Sequence, residues 1–110
     1  IMDIFDKKVL IVGLGKSGEA AVKLLIDKGA QVWATEKNKN DKLKAVSSEL
    51  IRLGANVELG RHSYEFLEGK DLVVLSPGVQ PGCEIIKWAN ECNIPVVSEL
   101  EAASWYVHYP

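Results

Sequence analysis

The stretch VLIVGLGKSGEAA, residues 9–21, is the part of the sequence that most constrains the fold. A run of β-branched and apolar residues ends in glycine, and Gly13, Gly15 and Gly18 form the spacing G-x-G-x-x-G. This spacing is typical of the turn between a buried strand and a helix that binds a pyrophosphate. The first glycine permits the tight turn, the second lets the phosphate approach the backbone, and the third lets the helix pack closely. Alternatively, the three glycines serve only the turn.

The same stretch contains Gly15-Lys16-Ser17, which matches the end of a P-loop. A P-loop requires a first glycine five residues before Gly15, and that position is Leu10, inside the apolar run. The later apolar run LVVLSPG leads into Ser76 and supplies no acid for magnesium. The sequence therefore favours the dinucleotide type of glycine loop over the P-loop.

The remaining sequence alternates between strand-like and helix-like segments. The patterns predict strands over residues 7–13, 30–36, 56–60, 71–78 and 94–99, and helices over 19–29, 42–53, 63–69, 84–91 and 101–108. Ser98 and Glu101 have the spacing of a capping box, so Glu99 and Glu101 are interpreted as structural acids at a helix start. We predict an α/β fold, a Rossmann-like open parallel sheet of about five strands with helices on both faces, as one domain over residues 1–110.

Two further segments are expected at the carboxyl edge of this sheet, where open α/β folds bind ligands. Glu36 ends the second predicted strand, 18 residues after Gly18, and a carboxylate at this place binds a ribose hydroxyl in many nucleotide sites. The predicted fourth strand runs into a Pro-Gly loop, in which Ser76, Pro77 and Gly78 form either part of the site or a plain turn. These residues predict a site for a nucleoside diphosphate without naming the nucleotide.

Composition excludes several classes of function. The formal net charge is -2 and no Lys/Arg cluster with interleaved aromatic residues occurs, which argues against a nucleic-acid partner. No apolar run approaches the roughly 20 residues of a membrane span. Cys83 and Cys92 form no C-x-x-C pair, so free thiols and a cytoplasmic location are expected.

No residue pattern predicts a metal or a catalytic group. His62 and His108 lack a nearby carboxylate or cysteine pattern and are interpreted as surface or loop histidines. The three tryptophans lie in separate predicted elements and are interpreted as packing residues: Trp33, Trp88 and Trp105. We therefore assign no catalytic residue to this chain.

Four segments, KVLIVGLGKSGEAAVKLL, ATEKN, LVVLSPGV and IPVVSELEAA, together carry a family resemblance. In order and spacing they resemble the amino-terminal domain of the D-glutamate-adding Mur ligases, over nearly the whole chain. The resemblance implies that this domain binds the UDP part of UDP-N-acetylmuramoyl-L-alanine. It also implies an enzyme of peptidoglycan synthesis, and hence of cell shape and division. In that enzyme an acyl phosphate forms on the L-alanine carboxylate and is attacked by the amine of D-glutamate.

The resemblance also implies the binding residues. The glycine loop that meets the nucleotide comprises Gly15, Lys16, Ser17 and Gly18; the uridine contacts are Glu36, Lys37 and Asn38; the loop beside the substrate is Ser76, Pro77 and Gly78. The sequence departs from the family at two of these positions. Glu36 stands where the family often has Asp, and Asn38 stands where it sometimes has Arg. The contacts to the base therefore stay open.

The family continues into an ATPase domain and a C-terminal domain that this sequence lacks. The resemblance implies that ATP and Mg²⁺ belong to the missing central domain, that this domain needs no cofactor, and that the fragment alone is inactive. If the helix over 101–108 packs on the next domain, Trp105, Tyr106 and Tyr109 are expected to be exposed. Two alternatives remain: an NAD-binding domain of an oxidoreductase, and a nucleotide-sensing module.

Overall fold

A computed structural model describes residues 3–105 and shows five parallel strands in one sheet. The strands are β1 Lys8–Val12, β2 Gln31–Glu36, β3 Asn56–Leu59, β4 Leu72–Leu75 and β5 Val96–Ser98. The helices are α1 Lys16–Asp27, α2 Asp41–Arg52, α3 Tyr64–Leu67, α4 Glu84–Glu91 and α5 Glu99–Ser104. The predicted α/β class and open parallel sheet are confirmed.

The strand order is β3-β2-β1-β4-β5, so the chain builds outward from β1 in both directions. β1 pairs with β2 on one side and with β4 on the other, and Val12 is in register with Thr35 and Leu75. The order reverses between β1 and β4. At such a switch point the loops after the two strands separate and leave a crevice at the carboxyl edge.

Apolar side chains cover both faces of the sheet, because successive strand residues point to opposite sides. One buried cluster joins the β1 residues Val9 and Ile11 to helices α1, α2 and α5. The other joins Leu10 and Val12 to Leu67 of α3 and to α4. Helices on both faces were predicted and are confirmed. Leu10 is fully buried, which agrees with excluding a P-loop glycine at this position.

Helix α1 begins at Lys16, three residues before the predicted start at Glu19. Gly15 has an extended backbone and serves as the N-cap, so Lys16 and Ser17 form the first helical turn. Gly18 and Val22 of α1 are buried, whereas Ala20 is exposed. The reason is the close packing of Gly18 on the loop after β1, which sets the face that α1 turns to the sheet.

The end of the described chain corrects one expectation. Trp105 is partly buried against the first apolar cluster, which confirms its interpretation as a packing residue, and the exposure expected for it in the case of a further docked domain is wrong. Tyr106, His108 and Tyr109, with the predicted end of the last helix, lie outside the described residues. Trp33 and Trp88 pack against the second cluster, which confirms their interpretation as packing residues. Within residues 3–105 no helix is long and apolar enough to cross a membrane.

Candidate functional site

A cleft of about 620 Å³ opens at the carboxyl edge of the sheet. Every residue predicted for the site lines it: Gly15, Lys16, Ser17, Gly18, Glu36, Lys37, Asn38, Ser76, Pro77 and Gly78. The volume lies within the range of pockets that hold small ligands and cofactors. The topology thus brings together three segments that are distant in sequence, although their contacts with a ligand remain predictions.

The glycine loop has the backbone geometry that its spacing predicts. Gly13 has φ of 96°, a conformation that side chains disfavour, and its N–H donates to the carbonyl of Thr35 at 2.8 Å. A Cβ on Gly18 would overlap the carbonyl oxygen of Gly13 and would lie 2.9 Å from its carbonyl carbon. A Cβ on Gly15, in contrast, would meet no atom within 4 Å. Gly13 and Gly18 are therefore needed by the fold, whereas Gly15 leaves space in the cleft.

Two helices begin at the wall of the cleft without a side-chain cap. Their N-cap residues are Gly15 for α1 and Cys83 for α4, and both line the cleft. The other three helices are capped by Asn40, Ser63 and Ser98. The first N–H groups of a helix need an acceptor, and together with the helix dipole they favour an anion. The uncapped start of α1 can accept a phosphate.

Glu36 is buried, and its carboxylate is held by the backbone. Its Oε1 accepts from the N–H of Leu14 at 2.9 Å, and its Oε2 accepts from the N–H of Asn38 at 2.8 Å. The residue is only 9 % exposed. Glu36 thus joins the glycine loop to the loop after β2. Each oxygen retains a second lone pair, which leaves acceptor capacity for a ligand hydroxyl.

Ser76 connects the two loops at the switch point. Its Oγ donates to the carbonyl of Gly13 at 2.9 Å, and its N–H donates to the carbonyl of Val12 at 3.0 Å. Gly78 has φ of 92°, so the same segment also contains a turn that favours glycine. The loop is both a turn and a wall of the cleft, and the Ser76 hydroxyl already has one structural acceptor.

His62 also lines the cleft, with its neighbour Arg61. The distance between His62 Nδ1 and Thr35 Oγ1 is 2.9 Å, and Thr35 Oγ1 donates to Glu58 Oε2 at 2.8 Å. The interpretation of His62 as an ordinary loop histidine missed this arrangement, because its partners lie on β2 and β3. The one available signal was the polar residue Thr35 directly before Glu36 in an otherwise apolar strand. Within residues 3–105 no group of three His, Cys, Asp or Glu side chains could hold a metal.

Glu99 lies deeper than the capping-box interpretation predicts. Ser98 Oγ accepts from the N–H of Glu101 at 3.1 Å, which confirms the cap itself. Glu99, however, places Oε2 in a buried position without a hydrogen-bond partner. Burial raises the pKa of this carboxyl above its ordinary value, while the nearby hydroxyls of Ser76 and Ser17 act in the opposite direction.

We expect Glu99→Gln to stabilise the domain at neutral pH by up to about 1 kcal/mol, because it removes a partly buried charge. When folding raises the pKa of a carboxyl, its charged form destabilises the folded state. The domain therefore loses stability as pH rises from the unfolded-state pKa through the folded-state pKa. The advantage of the variant should therefore shrink as pH falls towards 4.5, the ordinary pKa of the group. Urea unfolding at several pH values measures this difference. Glu101→Gln, at an exposed position of the same helix, is the control, and an equal effect of both variants would contradict the assignment.

The sequence matches the model of one protein family over residues 7–98, described as Mur ligase MurD-like, N-terminal domain. A UDP-N-acetylmuramoylalanine–D-glutamate ligase of Citrifermentans bemidjiense is 42 % identical over 110 residues. The match covers 99 % of this chain and 24 % of that ligase. The chain therefore spans about a quarter of the length of this relative.

Solved structures share the fold. The UDP-N-acetylmuramate:L-alanyl-gamma-D-glutamyl-meso-diaminopimelate ligase of Neisseria meningitidis has a TM-score of 0.76 at 19 % identity, covering 92 % of this chain and 31 % of that chain. The UDP-N-acetylmuramate-alanine ligase of Thermotoga maritima has a TM-score of 0.68 at 26 % identity, covering 87 % of this chain and 21 % of that chain. In each case the similarity is confined to a minor part of a longer chain.

Proposed function

The chain belongs to the family of MurD-like N-terminal domains of Mur ligases, and on this basis we propose that its cleft binds the UDP moiety of UDP-N-acetylmuramoyl-L-alanine. The observation that carries the proposal is the uncapped start of α1 at the wall of the cleft. A diphosphate there receives the N–H groups of the first turn of α1 and the favourable end of its dipole. The family membership supports uridine as the nucleoside.

We assign a different part of the ligand to each of the three segments of the cleft. The diphosphate lies over the N-terminal end of α1, since a Cβ on its N-cap Gly15 would meet no atom within 4 Å and the backbone there is open to close approach. The uridine lies towards the ends of β2 and β3, near Glu36, Lys37 and Asn38. The sugar and its L-alanine extend along the loop of Ser76–Gly78 on the other side of β1.

The activity of the longer protein is a further part of the proposal. Because the chain is 42 % identical to about a quarter of a protein named UDP-N-acetylmuramoylalanine–D-glutamate ligase, we infer that the longer protein is an ATP-dependent, amide-forming ligase that adds D-glutamate in cytoplasmic peptidoglycan precursor synthesis. ATP and Mg²⁺ belong to a domain outside this sequence, and the domain described here contributes substrate binding without bond formation.

Calorimetric titration tests the proposal with four ligands: UDP-N-acetylmuramoyl-L-alanine, UDP, NAD and ATP. We expect heat of binding with the two uridine ligands and none with NAD or ATP at the same concentrations. The affinity for UDP is expected to be modest, because a cleft open to solvent buries only part of a ligand. Binding of NAD without binding of either uridine ligand would overturn the proposal in favour of a dinucleotide-binding domain.

A further inference from the structure

Three side chains form a hydrogen-bonded row from the outer strand β3 to the cleft. Glu58 lies on β3, Thr35 on β2, and His62 in the segment that follows β3. Thr35 is fully buried and the side chain of Glu58 is 10 % exposed. Glu58 Oε2 also accepts from the N–H of Ser63 at 2.9 Å. The row is therefore fixed by the strands and by the backbone after β3.

The proton count of this row determines the tautomer of His62. Thr35 Oγ1 carries one proton, and two of its neighbours only accept: Glu58 Oε2 at 2.8 Å and the carbonyl of Arg61 at 3.1 Å. Donation to His62 Nδ1 instead would leave the Glu58 carboxylate 2.8 Å from Oγ1 with no proton between the two oxygens. We therefore assign the Thr35 proton to an acceptor oxygen, and the proton between Oγ1 and His62 Nδ1 to the ring. In neutral His62 the proton thus resides on Nδ1, and Nε2 carries a lone pair.

The free nitrogen of His62 is accessible to a ligand. Nε2 has no hydrogen-bond partner among residues 3–105. Among residues 3–105, Glu99 Oε2 is the side-chain nitrogen or oxygen atom that is both fully buried and without a hydrogen-bond partner. His62 Nε2 also has no partner, so it is not fully buried. His62 lines the cleft, and its ring is held at the opposite nitrogen. His62 therefore brings to the cleft a hydrogen-bond acceptor, Nε2, that has no donor among the described residues.

We propose that Glu58 and Thr35 hold His62 in the Nδ1–H tautomer so that Nε2 accepts a hydrogen bond from the nucleoside in the cleft. This inference rests on the proposed binding of a uridine nucleotide. The segment of His62 follows β3, beside the end of β2 and away from the glycine loop after β1. A fully ionised phosphate has no proton to donate, whereas the N3–H of uracil and the ribose hydroxyls have one. His62 is thus a specificity residue, and Thr35 and Glu58 are positioning residues.

The tautomer is measured first, in the protein without ligand. Long-range ¹H–¹⁵N correlation spectra distinguish a protonated from an unprotonated ring nitrogen, and His62→Phe identifies which of the two histidines gives each signal. We expect the wild type to show Nδ1–H and Nε2 unprotonated at a pH where the ring is neutral. Thr35→Val, which removes Oγ1 at nearly constant volume, should replace this single tautomer by a mixture. A wild-type ring with its proton on Nε2 would overturn the inference.

Ligand binding is measured second, by titration with UDP. We expect His62→Phe to weaken binding about tenfold, as for the loss of one hydrogen bond, and His62→Gln to restore part of it because the amide oxygen can reach towards the place of Nε2. Glu65→Gln, an exposed acid on α3, is the matched control for Glu58→Gln and should leave the affinity unchanged. Glu58→Gln should weaken binding and shift the tautomer together.

Two analogue types identify the donor: 3-methyl-UDP lacks N3–H, and the 2′- and 3′-deoxy forms each lack one hydroxyl. One of them should bind the wild type about tenfold more weakly than UDP, and the same analogue should show no such loss with His62→Phe. If each analogue binds more weakly than UDP by the same factor in the wild type and in His62→Phe, the inference is overturned while the proposed UDP binding stands. If the wild type fails to bind UDP at all, the proposed function is overturned and this assignment with it.

Discussion

Gly18→Ala is expected to destabilise the domain by about 3 kcal/mol or more, because its Cβ would overlap backbone. The new methyl group would collide with the carbonyl of Gly13 and lie 2.9 Å from Ser76 Oγ. Both neighbours belong to the crowded switch point, where Ser76 Oγ already donates to Gly13. Relief of the overlap requires α1 to move away from the sheet, which would open the first apolar cluster.

Gly15→Ala is the matched control, three residues earlier at the N-cap of α1. Its Cβ would meet no atom within 4 Å, and the backbone angles suit any residue. We expect a loss of less than about 1 kcal/mol, from the weaker N-cap alone. UDP binding, however, should fall, since the methyl group would occupy space in the cleft. Urea unfolding and UDP titration of both variants test whether Gly18→Ala loses much more stability than Gly15→Ala and whether Gly15→Ala loses UDP affinity. Equal stabilities of the two variants would contradict this expectation.

Glu36→Ala is expected to destabilise the domain by about 3 kcal/mol and to weaken UDP binding at least about tenfold. The change removes the acceptor for two backbone N–H groups, those of Leu14 and Asn38, which are 2.9 Å and 2.8 Å from the carboxylate. The bond to Leu14 is buried, so its N–H would lose its acceptor in the interior. Release of Leu14 also frees the glycine loop that is proposed to hold the diphosphate.

Glu36→Gln separates the two parts of this prediction. The amide keeps one acceptor oxygen with nearly the same shape and loses the charge and one acceptor. We expect about half of the stability loss of Glu36→Ala, measured by urea unfolding, and a smaller loss of UDP affinity, measured by calorimetry. If Glu36→Ala unfolds at the same urea concentration as the wild type, the structural role of this carboxylate is wrong. Its position at the end of β2 predicted a ligand contact but not this role.

Local patterns predicted most of the fold and the place of the cleft. The bounds of α4, Glu84–Glu91, agree with the prediction, because the segment is flanked by turn residues and has a clear apolar face. The role of Gly18 in close packing followed from the glycine spacing alone. The parallel strands then bring the loops after β1, β2 and β4 to one edge, which follows from topology without any side-chain detail.

The missed features depend on contacts between distant residues. His62 and Thr35 are 27 residues apart, and neither has a local pattern that predicts the other. Glu99 satisfies the spacing of a helix start, but its burial depends on α5 packing beside α1 near Ser17 and Ser76. The start of α1 was placed too late because glycine in residues 15–18 suggested a loop, whereas an extended Gly15 acts as an N-cap. Each case is decided by tertiary packing rather than by propensity.

The most direct test of the account is to map UDP on the protein by the amide chemical shifts of the ¹⁵N-labelled chain. The account predicts that UDP shifts the amide signals of Lys16, Ser17 and Gly18 most strongly, with a second group of shifts at Asn38 and His62. Phosphate alone should reproduce the first group without the second. The opposite result would be shifts confined to surfaces away from the carboxyl edge, with the signals of Lys16–Gly18 unmoved at saturating UDP. That outcome would contradict the placement of the diphosphate at the start of α1.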